Sequence, residues 1–244
     1  MNDIISKYFI ELSDVTIIIS ALFAIFFYRK YKHTVVRYFI YYMIYVAFVD
    51  VFGDYTWYIY RYERLNFIRD ALKGTLIERN FWWYNIFWVL GSAVFLSAYF
   101  SKLLKSTLYK KVIMGLCGLV ILTFILRIIV DVHSLFQSIM SVNLVFGSLV
   151  IITCIVFYFI EILQSDKILN FLYSFNSIAS STLFIWFLII TPLTFYDLYF
   201  NSADWNFVFL RHYIYFFSNL FMYGMFSLAL AWCNPNFDLE SNLD

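Results

Sequence analysis

The strongest constraint on this chain is a succession of seven long apolar segments separated by short polar connections. A helix needs about 20 residues to cross the roughly 30 Å hydrocarbon core of a bilayer, and each segment is at least that long. The apolar residues run continuously, as in 15–27 and 139–159, whereas a transmembrane strand would alternate polar and apolar residues. We therefore predict an all-α polytopic membrane bundle, a single transmembrane domain over 1–244, with helices at about 8–28, 35–60, 81–103, 110–131, 137–163, 172–199 and 207–233.

The composition excludes an ordinary soluble protein. Hydrophobic residues make up 63% of the chain and charged residues 14%, against roughly 45–50% and about 25% in soluble domains. The net charge of +1 provides no basic field for nucleic acid, so we expect no nucleic-acid partner. The lipid bilayer is the expected partner, and the three cysteines are expected to be free thiols because all lie within apolar segments.

The distribution of Lys and Arg predicts an orientation. Basic residues flank the connections after the first and third helices, and the positive-inside rule places these connections in the cytoplasm. The N-terminus is then outside and the C-terminus cytoplasmic. The connection 61–80 is also basic, but its apolar residues recur at helical spacing, so we predict an amphipathic segment lying on the outer membrane surface. The basic residues of the two cytoplasmic connections are Arg29, Lys30, Lys32, Arg37, Lys102, Lys105, Lys110 and Lys111.

Ionisable groups within a bilayer are costly unless they face a cavity or a partner, so they indicate candidate functional residues. In the predicted orientation the strongest polar groups share the outer half of the membrane. We expect them to line an outward-open pocket, in which acids hold a cationic or hydroxyl-bearing ligand and arginines balance them or bind an anionic group. The other interpretation is a set of interhelical salt bridges that only stabilises the bundle. The predicted ligand-binding residues are Asp50, Asp54, Asn85, Arg127, Asp131, Asn143, Arg211 and His212.

Several enzyme classes find no support in the residues. No lysine lies in a helix interior where a retinal Schiff base would form, and the three histidines are too few and too dispersed for a zinc hydrolase. Gly53-Asp54 and Tyr196-Asp197 are similar to the paired motifs of intramembrane aspartyl proteases, but they occur in the reverse order of the presenilin type. We therefore predict no catalytic residue, no metal ligand and no cofactor.

The helix layout, the segment Asp50-Val-Phe-Gly-Asp-Tyr55, Asn85 at the start of helix 3 and the pair Ser218-Asn219 together resemble a group of small multi-pass inner-membrane proteins of Bacteroidetes. The resemblance implies a seven-helix arrangement in a bacterial inner membrane and carries over no activity. The length and helix count are also similar to those of the PnuC and SWEET-type carriers, which implies a transport function.

These observations predict a non-enzymatic membrane protein that binds or senses a small ligand, or another membrane component, in the outer-half pocket. One alternative is a transporter or an oligomeric pore, such as a membrane effector of a bacterial defence system, formed with further copies of the chain or another membrane protein. Pro192 within helix 6 would supply its moving element. Another alternative is an intramembrane hydrolase.

Overall fold

The computed structural model describes the backbone of residues 8–199 and 205–238 and the side chains of 8–194 and 209–238. Within these ranges it is helical and contains seven helices that are long and apolar enough to cross a membrane, which confirms the predicted seven-helix membrane bundle. The helices are α1 Phe9–Tyr31, α2 Val36–Arg61, α3 Phe81–Leu103, α4 Thr107–Val130, α5 Ser141–Leu163, α6 Phe175–Tyr199 and α7 Trp205–Trp232.

The helices pack as a closed ring with one helix outside it. In the ring, α1 contacts α2 and α7, α3 contacts α2 and α5, and α6 contacts α5 and α7. The remaining helix, α4, packs against α3 and α5 from the periphery and is the least buried of the seven spans, at 22%. Its outward-facing apolar side chains, such as Ile129 and Val130, are exposed as lipid contact requires.

The centre of the ring is filled by aromatic side chains that are at most 1% exposed. Phe39 of α2 lies at the middle of this group, with its ring centroid 5.3 Å from Tyr99, 5.3 Å from Phe175 and 4.9 Å from Phe226. The ring of Phe100 lies 5.0 Å from that of Tyr99. We call these five residues the aromatic layer. Edge-to-face packing of such rings stabilises a core beyond the area that it buries.

One end of the bundle gathers the connections α1–α2, α3–α4 and α5–α6 together with the residues after α7, and we call this end the basic face. Lys30, in the last turn of α1, donates from Nζ to the carbonyl oxygens of Leu230 at 3.0 Å and Ala231 at 2.9 Å. The hydroxyl of Tyr31 donates to the carbonyl oxygen of Cys233 at 2.9 Å. These donors satisfy carbonyl groups at the C-terminus of α7, where the helix dipole favours a cation.

Two carboxylates at the basic face hold the N-termini of α4 and α6. The oxygens of Glu161 accept the backbone N–H groups of Lys105 and Ser106, both at 2.8 Å. Asp238 accepts from the Ser174 hydroxyl at 2.6 Å and from the N–H groups of Phe175 at 2.9 Å and Asn176 at 3.2 Å. Both acids therefore cap helices with N–H groups that would otherwise have no partner.

At the opposite end, the connection 61–80 is helical but divided. It forms the short helices Glu63–Leu65, Asn66–Leu72 and Leu76–Glu78 instead of one continuous amphipathic segment. Gly74 separates the last two at φ 77°, a left-handed conformation that side chains other than glycine rarely adopt. Its N–H donates to Glu78 at 2.8 Å, which closes the turn.

Replacing Asp238 by alanine should lower the free energy of unfolding by about 1–3 kcal/mol, because three donors at the start of α6 lose their acceptor. Thermal unfolding in detergent, followed by tryptophan fluorescence, measures this loss. The exposed Asp166 lies in the connection before α6 and supplies the matched control Asp166→Ala, which should unfold at the same temperature as the wild type. Equal stability of the two variants would contradict the capping role.

Candidate functional site

A cavity of about 80 Å³ lies within the bundle between α2, α3, α5, α6 and α7. On α2 it is lined by Tyr42, Val46 and Asp50, which share one helix face because they are spaced four residues apart. Five aromatic rings, together with aliphatic and small polar side chains, form the rest of its wall. We call it the central cavity; its aromatic and polar lining consists of Tyr42, Asp50, Trp88, Ser92, Ser148, Trp186, Phe187, Tyr215, Asn219 and Tyr223.

Asp50 is the charged residue of this lining, and no described side chain or backbone group forms a hydrogen bond with it. The other charged groups that act on it electrostatically are the carboxylates of Asp14 and Asp54. A carboxyl group within a membrane span is costly to bury unless water, a ligand or a partner reaches it. The central cavity is the space that gives Asp50 such access.

Asp14 and Asp54 complete an acidic cluster with Asp50. Asp14 is only 6% exposed and accepts a hydrogen bond from the Tyr58 hydroxyl. Asp54 accepts one from the Tyr84 hydroxyl at 2.7 Å. In the described residues no three His, Cys, Asp or Glu side chains converge as metal ligands do, so the cluster does not have the form of a metal centre. The predicted residues Asp50 and Asp54 thus lie in one cluster with Asp14. The predicted ligand-binding residues do not include Asp14, which α1 places at a similar depth in the membrane.

Two irregular helices position this cluster. The regular part of α2 ends at Gly53, and Asp54 stands at the break before the helix resumes at Tyr55. Facing this break, α3 is a π-helix over Tyr84–Leu90. A Cβ at Gly53 would lie 2.8 Å from Cζ of Tyr84, so only glycine allows the close approach that brings this hydroxyl to Asp54. π-Helical segments occur frequently at functional sites, and this one carries Tyr84 and Trp88.

The predicted arginines do not join the acidic cluster in this arrangement. Arg127 is exposed on the peripheral helix α4, and Arg211 is exposed with its guanidinium 5.6 Å from the ring of Tyr215. The charged groups that act on Asp50 are acids, so the cavity differs from the expected pocket of mixed charge. α6 contributes Leu183, Trp186 and Phe187 to its wall, whereas α4, which carries the predicted Arg127, does not line it.

Two further predicted residues lie elsewhere. The side chain of Asp131 follows α4 and accepts the N–H groups of His133 at 3.1 Å and Ser134 at 3.3 Å, so it caps its own connection. His212 stacks on Phe9, with ring centroids 4.8 Å apart, at the contact of α7 with α1. Neither of them lines the central cavity.

The two predicted asparagines form interhelical contacts. Asn85 is fully buried; its Nδ2 donates to the carbonyl oxygens of Leu135 at 3.0 Å and Ser138 at 2.9 Å, and its Oδ1 accepts the N–H of Met140 at 2.9 Å. Asn143 donates to the Thr123 hydroxyl at 3.3 Å, which joins α5 to α4. Because its amide is occupied by three backbone groups, Asn85 holds the α4–α5 connection.

The variant Asn85→Ala should lose about 2 kcal/mol or more of unfolding free energy, because it leaves buried backbone groups without partners. Thermal unfolding in detergent measures the effect. A suitable control is Asn170→Ala, since Asn170 forms no side-chain hydrogen bond with the described residues. If Asn85→Ala retained wild-type stability, the assignment of Asn85 to structure rather than to ligand binding would be wrong.

Comparisons with protein-family models, curated proteins and solved structures give no match for this chain. No residue role can therefore be transferred from a relative. The features of the chain that indicate a function are the central cavity, its aromatic side chains and the acidic cluster.

Proposed function

We propose that this protein is a non-enzymatic membrane protein that binds a small organic cation in the central cavity, as a sensor or receptor in a bacterial plasma membrane. In this proposal the N-terminus and the acidic cluster lie on the outer side, and the basic face is cytoplasmic. The observation that carries the proposal is Asp50, a carboxyl group in a membrane span that lines a cavity and has no hydrogen-bond partner among the described residues.

The charge of the site favours a cation. Asp14 and Asp54 act on Asp50 as like charges, which makes an empty site with ionised carboxylates unfavourable. A bound cation would offset this repulsion, whereas an anion would add to it. Because the local dielectric constant inside the bundle is low, both effects are stronger than they would be in water.

The aromatic wall favours an alkylammonium group over a strongly hydrated inorganic ion. Trp and Tyr faces attract cations through their ring quadrupoles and recognise quaternary ammonium ligands in this way. Trp186 is fixed by a hydrogen bond from its Nε1 to Oδ1 of Asn219 at 2.9 Å, and its ring centroid lies 6.3 Å from that of Trp88. The small volume of the cavity limits the ligand to a few heavy atoms.

Ammonium, methylammonium and tetramethylammonium chlorides, compared with sodium chloride at equal ionic strength, test the proposal by thermal shift in detergent. At least one alkylammonium salt should raise the unfolding temperature of the wild type. A ligand at 100 times its Kd stabilises by about 2.7 kcal/mol. The variant Asp50→Asn should abolish this shift because it removes the charge without changing the volume of the side chain.

The matched control is Asp131→Asn, which alters an acid outside the cavity and should respond like the wild type. Both variants are first compared by gel filtration and by unfolding without ligand, so that a folding defect is recognised. Equal alkylammonium shifts in wild type and Asp50→Asn, or no shift with any of the salts, would refute the proposal.

Transport of the same cation is a second candidate, and the aromatic layer is the observation that favours it. Along α2, Phe39 lies between Tyr42 at the central cavity and Tyr38 at the basic face; along α3, Phe100 lies between Ser92 and Ser101 in the same way. Recesses on both sides of one closed layer are an arrangement that a carrier with alternating access requires.

The hydrolase alternative depends on Asp197, which lies outside the residues with described side chains.

Proteoliposome uptake of radiolabelled methylammonium separates the two candidates. A carrier should show saturable uptake above that of empty liposomes, lost in Asp50→Asn and retained in Asp131→Asn, because only the former alters the cavity. Ligand-dependent stabilisation without uptake would leave the receptor and reject the carrier.

A further inference from the structure

The basic face contains a second and much larger cavity, of about 720 Å³, bounded by α2, α3, α4, α5 and α6 and by the segment Pro235–Asp238. We call it the basic pocket. It is distinct from the central cavity, because the aromatic layer lies between them. Five cationic side chains, from three helices and two connections, line it: Arg37, Lys102, Lys105, Lys110 and Lys167.

The two acids of the basic pocket do not neutralise these cations by direct pairing. Glu161 accepts the N–H groups of Lys105 and Ser106, and Asp238 accepts those of Phe175 and Asn176 together with the Ser174 hydroxyl. Across the described ranges, none of the four lysines forms a salt bridge with a carboxylate. Among the described residues, the pocket therefore holds five cations and two acids, and both acids already accept backbone N–H groups.

The cations are also held close to one another. Lys102 Nζ lies 4.6 Å and the Arg37 guanidinium 4.9 Å from the centroid of the same ring, that of Tyr38. At Lys167, partial desolvation and the charge of Lys105 lower the pKa of the ammonium group, and the opposite effects of Asp238 and Glu161 do not offset them. Packing like charges in this way is unfavourable unless an anion lies between them.

A neutral hydrogen-bond donor completes the lining. Asn176 is 3% exposed, and its Oδ1 accepts from the Tyr99 hydroxyl at 2.6 Å. This bond fixes the amide so that Nδ2 is the remaining donor, and no acceptor among the described residues binds it. Asn176 lines the basic pocket, so this N–H₂ group is open to it and can donate to an anionic oxygen held there by the cations.

We propose that the basic pocket binds a phosphate-bearing anion, with Lys102, Lys105 and Lys167 as its charged contacts and Asn176 as a neutral donor. A phosphate or pyrophosphate group carries several charges and several acceptor oxygens, which match several ammonium groups better than a single carboxylate does. The phosphate could belong to a soluble compound or to a lipid headgroup, since the pocket is at the membrane surface. The chemistry of the contacts is the same for both sources.

Inorganic pyrophosphate is the soluble probe, titrated into detergent-solubilised protein and followed by calorimetry. The triple variant Lys102→Gln, Lys105→Gln, Lys167→Gln should weaken binding about tenfold or more, because losing even one charge-assisted hydrogen bond reduces affinity by about that factor. The control Arg64→Gln, Lys73→Gln, Arg79→Gln removes the same charge from exposed residues of the connection 61–80 and should leave binding within about twofold of wild type.

A lipid phosphate is tested in nanodiscs of phosphatidylcholine with and without phosphatidic acid, in which the unfolding temperature of the protein is measured. Stabilisation by phosphatidic acid that the lysine triple variant loses supports the proposal with a lipid as the source. A response to pyrophosphate alone supports it with a soluble source. Binding of neither probe, or equal responses of the lysine variant and its control to both probes, would overturn it.

The wild type alone supplies a second test in case the triple variant fails to fold. Amine-reactive labelling followed by mass spectrometry should show that pyrophosphate or phosphatidic acid protects Lys102, Lys105 and Lys167 several-fold but leaves Lys73 unchanged. Uniform labelling with and without both probes would refute the pocket. Asp50→Asn should show the same protection as the wild type, so that this site and the central cavity are judged independently.

Discussion

The pairing of carboxylates with helix N-termini at the basic face is the interaction on which the rest of this structure depends. The first N–H groups of a helix have no acceptor within the helix, and those that are buried have to find one elsewhere in the protein. Glu161 and Asp238 satisfy the starts of α4 and α6 from distant parts of the chain. They thereby tie the α3–α4 connection to α5 and the segment after α7 to the start of α6, and among the described residues the neighbouring lysines have no carboxylate partner.

The two cavities have opposite charge because the acids of the bundle are used differently at its two ends. At the basic face the acids are occupied by backbone donors and the cations remain, whereas around Asp50 the acids remain and the predicted arginines lie on other surfaces. The aromatic layer between them is buried and tightly packed, with Phe39 in contact with three other rings of the layer. One bundle thus presents two cavities of opposite charge, at two depths, with the aromatic layer between them.

The seven spans could be predicted from the sequence because an uninterrupted apolar run of about 20 residues is typical of a transmembrane helix. The arrangement of the spans does not follow, since in lipid both the buried and the exposed face of a helix are apolar. α4 illustrates the difficulty: it is strongly hydrophobic yet peripheral, so Arg127 lies away from Asp50. Asp50 and Asp54 were identifiable from their spacing, but Asp14 and the basic pocket required the packing of α1 and the positions of Glu161 and Asp238.

The π-helical stretch of α3 has a consequence for the evolution of this chain. Successive side chains of a regular α-helix are rotated by about 100° about the helix axis, and in the wider π-helical turn the rotation per residue is smaller. The side chains before and after 84–90 therefore point in relative directions that a regular α-helix of the same length would not give. Removing one residue there would restore the ordinary pitch while turning Tyr84 away from α2. Insertions and deletions in this segment are therefore expected to be selected against as strongly as changes in the acids themselves, although no charge would be altered.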